Sequence, residues 1–86
     1  MCDKNEPEGI RKIREYFSDT PGVIERLDEF LKQKEKYIEN PTVENRIDLK
    51  FAYIPIYEDL KVCCYSSHLY SEQTFWEYVG YLKEGL

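Results

Sequence analysis

Residues 43–69, VENRIDLKFAYIPIYEDLKVCCYSSHL, decide the fold of this 86-residue chain, because they can be read at two periods. At period two, Ile47, Leu49, Phe51 and Tyr53 alternate with Asp48, Lys50 and Ala52, and Leu60, Val62 and Cys64 alternate in the same manner. With Glu58-Asp59 as the turn, Tyr57 opposes Leu60, Pro55 opposes Val62, Tyr53 opposes Cys64 and Phe51 opposes Ser66. That register lays a mostly apolar face across two strands. The composition of 60–67 is also poor for a helix. At helical period, Val43, Ile47, Phe51 and Ile54 share a face, and Glu-Asp lacks the glycine of a good two-residue hairpin turn. Pro55 must sit at the edge of a strand or at a break in a helix. The hairpin is the preferred reading and the helix its rival.

The flanks are plainer. C-terminal to this stretch, Ser71 is a good N-cap, Tyr70 can staple against Phe75, and Phe75, Val79, Leu82 and Leu86 form a helical stripe beside Trp76, with Gly85 suited to end it. N-terminal to it, Thr20-Pro21 starts a helix that Asn40-Pro41 stops. Val23, Ile24, Leu27, Phe30, Leu31, Tyr37 and Ile38 line one side of that helix, and Asp28 and Lys32 are placed to pair one turn apart. An earlier helix is expected over 6–17, capped by Asn5 with Glu8 three residues on, its stripe formed by Ile10, Ile13 and Phe17. The expected architecture is a helix-dominated α+β domain, in the order α-α-β-β-α, with an all-α bundle of four or five helices as the alternative. One domain spans 1–86, with 1–5 expected to be flexible.

Composition narrows the function. Apolar residues are 42% and aromatics 15% of the chain, so it has the material for a packed core. No apolar run approaches membrane length and no secretory signal is evident, so a soluble, cytoplasmic protein is expected. Twelve basic and seventeen acidic residues give a net charge of −5, which disfavours a polyanionic partner and suits a basic protein surface. Cys2, Cys63 and Cys64 are an odd, unevenly spaced set that makes a poor disulfide framework.

Chemistry-bearing groups are scarce. His68 is the single histidine, and Cys64 stands four residues before it, which suggests a nucleophilic pair only weakly, since no glycine-rich elbow accompanies them. Cys63, Cys64 and His68 supply at most three ligands where a structural zinc takes four. The four glycines are isolated, so no phosphate-cradling loop is present. No catalytic residue, metal or cofactor is therefore assigned, and no enzymatic activity is expected.

The aromatic supply carries more information. Six of the eight tyrosines lie after residue 50. Tyrosine combines a large apolar body with a polar tip, which suits recognition surfaces as well as the rims of small cores. Tyr65, Tyr70, Tyr78 and Tyr81, rimmed by Glu58, Asp59, Glu72 and Glu77, are the candidate partner-binding residues. The expected function is a small acidic regulator, inhibitor or adaptor that binds another protein. Edge-to-edge pairing of the hairpin offers a route to a homodimer. Two helices followed by a hairpin also match a winged-helix arrangement, on topology alone. Lys50 and Lys61 are the only bases in that hairpin, so nucleic-acid binding comes second, and a Cys/His-dependent enzyme or metal site third.

Overall fold

The computed structural model describes residues 7–66 and 71–86 and contains four helices: α1 (Glu8–Tyr16), α2 (Pro21–Glu39), α3 (Val43–Ser66) and α4 (Glu72–Lys83). Among the described residues there is no strand, so the hairpin, the α+β class and the strand-edge route to a dimer are all overturned, and an all-α bundle takes their place.

Residues 43–66 form one helix for identifiable reasons. Thr42 caps it, its Oγ1 accepting from the Asn45 backbone N–H at 3.1 Å, and Glu44 sits favourably in the first turn. Asn45 Nδ2 donates to the Asn40 carbonyl at 2.8 Å and so ties the new helix to the end of α2. A two-residue Glu58-Asp59 hairpin turn would require positive φ at Glu58 or at both residues, a conformation no non-glycine residue adopts among the described residues. As helix, the same pair separates: Glu58 faces solvent, while Asp59 reaches α2 and accepts from Arg26 Nε and, at 3.1 Å, from Arg26 Nη2. Pro55 lies inside the helix, where it removes the bond that the Phe51 carbonyl would accept. Packing offsets that loss. Leu49, Ala52, Ile56 and Leu60 recur at helical intervals and are all buried against the rest of the bundle.

The helices pack as a chain of neighbours, α2 against α3 most extensively, α3 against α4, and α4 against α1. Ile10, Ile13 and Phe17 join Val23, Leu27 and Phe30, the α3 face just named, and Phe75, Val79 and Leu82 in one core. An aromatic seam crosses it from α2 to α4: Phe30, Tyr53, Tyr57, Phe75 and Trp76 follow one another with ring centroids 5.0–5.8 Å apart. Lys83 lies over the Tyr53 ring at 5.5 Å and closes the end of α4 onto α3.

α2 has the bounds expected of it, and Ser71 caps α4 as expected, accepting from the Thr74 backbone N–H at 3.1 Å. Gly85, at φ +88°, follows the end of α4. Three details differ. α1 begins at Glu8 rather than Glu6, and the Asn5 cap lies outside the described residues. Asp28 accepts from Arg14 of α1 at 2.5 Å, bridging two helices. Thr20 holds the N-cap position of α2 without a side-chain cap bond.

Candidate functional site: the outer face of α3

α3 is apolar on two sides. Opposite its buried residues, Val43, Ile47, Phe51, Ile54, Val62 and Tyr65 stand between 47% and 79% exposed. Their spacing, with Glu58 in the sequence 43, 47, 51, 54, 58, 62, 65, repeats every eleven residues, so at about 100° per residue they stay within an arc of roughly 100°. Taken with ordinary side-chain areas, these exposures amount to on the order of 600–700 Å² of apolar surface, above the largest patch usual on a monomer. At about 1.5 Å per residue the helix is some 36 Å long, close to the 39 Å longest dimension of the molecule. The stripe therefore runs nearly end to end.

At the C-terminal end of α3 the stripe meets a cleft of about 270 Å³ between α3 and α4. Tyr57 and Phe75 of the aromatic seam line it, together with Tyr65, Trp76, Lys61 and Glu72. Trp76 is more than half exposed, so the cleft adds an aromatic anchor to the stripe.

The residues singled out from sequence fall in different places. Tyr65 is 79% exposed, on the stripe and in the cleft. Glu58 is exposed in the middle of the stripe, with Glu44 and Lys61 exposed at its margins, and Glu72 borders the cleft. Tyr78 is only 9% exposed and belongs to the core, stacked edge-on with Tyr16 at 6.1 Å and tilted against Tyr81 at 6.0 Å. Tyr81 is half-buried where α4 meets α1, so close that a Cβ on Gly9 would overlap its ring. Asp59 is engaged by Arg26, and Glu77 is exposed on α4. Tyr70 lies outside the described residues. Much of the tyrosine content thus builds the packing between helices. Sequence reasoning does not reach the stripe, because the spacing of Val43, Ile47, Phe51 and Ile54 marks a helical face without saying whether that face is covered. The available signal was a surplus: a 24-residue helix carrying two apolar faces, one of which already fills the core.

Cys63 and Cys64 are half-buried, and burial, followed by the nearby Asp59, pushes the Cys63 thiol above its ordinary range. His68 lies outside the described residues, and among the described residues no three His, Cys, Asp or Glu side chains are grouped to hold a metal ion. Basic side chains on α1 and α2 are interleaved with acids: Arg14, Lys32 and Lys36 share one shallow depression with Asp28, Glu35 and Glu39. Among the described residues no helix is long and apolar enough to cross a membrane. Comparison with protein-family models, with curated proteins and with solved structures gives no match.

Proposed function

We propose that this chain is a non-catalytic protein-interaction module whose docking surface is the outer face of α3, extended at one end by Tyr65 and Trp76. The observation that carries this reading is the exposure of six large apolar side chains along a single line of one helix. A line of that length suits a partner that lays an apolar helix along it, with anchors spaced every three or four residues. Glu58 within the stripe and Glu72 at the cleft supply the acidic element, which favours a partner bearing a base opposite each.

A photo-reactive phenylalanine analogue at position 51, compared with one at Glu29 on the exposed face of α2, tests the reading. Circular dichroism first establishes that both variants remain helical. Irradiation in source cells is expected to give protein adducts from position 51 and few from position 29. Equal yields at the two positions, or none from position 51, would overturn it.

A further inference from the structure

The outer stripe of α3 is close to a palindrome. Counted from Ile54, its apolar positions fall 11, 7 and 3 residues before and 8 and 11 residues after, with Glu58 filling the fourth. At about 1.5 Å per residue, reversing the helix about Ile54 brings Val43 to the height of Tyr65 and Ile47 to within about 1.5 Å of Val62. We propose that α3 pairs with α3 of a second copy of this chain, antiparallel and centred on Ile54, an assignment of partner that rests on the docking reading of the same face.

Area and charge both support this occupant. The apolar surface of the stripe approaches the roughly 800 Å² that each partner contributes to a stable interface, before any polar margin is counted. A symmetric pair uses the same patch on both subunits, so a surface that matches its own reversal meets the requirement without a second surface. Glu58, which lies among the apolar residues of the stripe, comes to the height of Lys50 of the second copy, which is exposed at the stripe's edge, and the symmetry forms this pair twice. A parallel pair would instead set Glu58 against Glu58. In an antiparallel pair each flank of α3 meets its own equivalent, and on the basic flank Glu58 is shared between Lys50 of the second copy and Lys61 of its own helix, three residues on. The acids farthest out on the acidic flank are already neutralised, Asp48 by Lys36 at 3.8 Å and Asp59 by Arg26. The helix dipoles also oppose in this orientation.

Sedimentation equilibrium of the purified full chain is expected to give about 20.8 kDa, twice the 10.4 kDa chain mass, at high-micromolar concentration. A mass of 10.4 kDa throughout that range overturns the pairing, whereas the docking reading then stands or falls on adducts with other proteins in the cross-linking above. Orientation is read with Cys2, Cys63 and Cys64 replaced by serine. Ile54→Cys is then expected to oxidise to a linked dimer, while Ile47→Cys does not, because its two copies stand about 21 Å apart. Mixing Ile47→Cys with Val62→Cys chains restores linkage. Equal linkage by Ile54→Cys and Ile47→Cys alone overturns the antiparallel register. Glu58→Lys should weaken the dimer roughly tenfold, and Lys50→Glu in the same chain should recover most of that loss. Failure to recover it would remove the Glu58–Lys50 contact and with it the proposed register.

Discussion

Replacing Phe51 by alanine and, separately, Phe30 by alanine applies one chemical change to opposite sides of the helical packing. Phe30 is 1% exposed in the core, and truncating a buried phenylalanine costs about 3–5 kcal/mol. Phe51 is 69% exposed, so only about a third of its surface is shielded, which scales the loss to about 1 kcal/mol. Alanine's better helix propensity returns roughly half of that. The net expectation is about 0.5 kcal/mol for Phe51→Ala, several-fold less than for Phe30→Ala. Urea unfolding at sub-micromolar concentration keeps self-association out of the measurement. With a slope of about 1 kcal/mol per molar urea for a chain of this size, the midpoint should shift by about 3 M or more for Phe30→Ala, or the fold be lost, and by less than about 1 M for Phe51→Ala. Comparable shifts would mean that Phe51 is buried, and the two-faced description of α3 would fail.

Other consequences are equally direct. Gly9→Ala places a Cβ into the Tyr81 ring and should destabilise the contact of α1 with α4 by about 1–3 kcal/mol, read as a lowered Tm, although alanine is the better helix former. Ser71→Ala removes the side-chain cap of α4 and should cost about 1 kcal/mol, while Thr20→Ala, at a position without a cap bond, should cost less than half as much in the same unfolding assay. Alkaline pH should destabilise the protein. Burial raises the pKa of Cys63, Tyr53 and Tyr78, with smaller contributions from Asp59, Tyr57 and Tyr16 respectively. The native state therefore keeps these protons longer than the unfolded chain, so their stabilisation is whole below the ordinary thiol and phenol values and is lost as pH climbs through the raised ones. Lys34 opposes this: burial, partly countered by Glu84, lowers its pKa, and its unfavourable contribution is relieved as pH rises toward the ordinary lysine value. Lys34→Met should accordingly steepen the fall in urea midpoint above about pH 9.

How far the sequence reaches depends on how many faces each helix buries. α2 was legible to the residue because Thr20-Pro21 and Asn40-Pro41 punctuate a helix with one apolar side. α4 was legible through Ser71 and its stripe of Phe75, Val79 and Leu82, although Leu86, read into the same stripe, lies past the end of the helix and is exposed. α3 was not, because apolar residues on two sides of a helix dilute the 3.6-residue period and leave stretches such as 47–53 that alternate by accident. Pro55 pointed the same way, since a proline in mid-helix is tolerated only when packing outweighs the missing bond. Of the candidate site, Tyr65, Glu58 and Glu72 were placed on a surface by composition alone. The burial of Tyr78 and the pairing of Asp59 with Arg26 depend on which helices become neighbours, and no local pattern carries that.

The claim on which the rest stands is that the outer face of α3 is open in the isolated chain and covered in the working one. Hydroxyl-radical footprinting of Phe51, Ile54, Val62 and Tyr65, read by mass spectrometry, measures this directly. In dilute purified protein all four should be modified rapidly, with Phe30 and Leu60 silent, and in concentrated protein the four should become protected together. Rapid modification of Phe51 and Tyr65 at every concentration and in cell extract alike, or silence of Phe51 even when dilute, would contradict it.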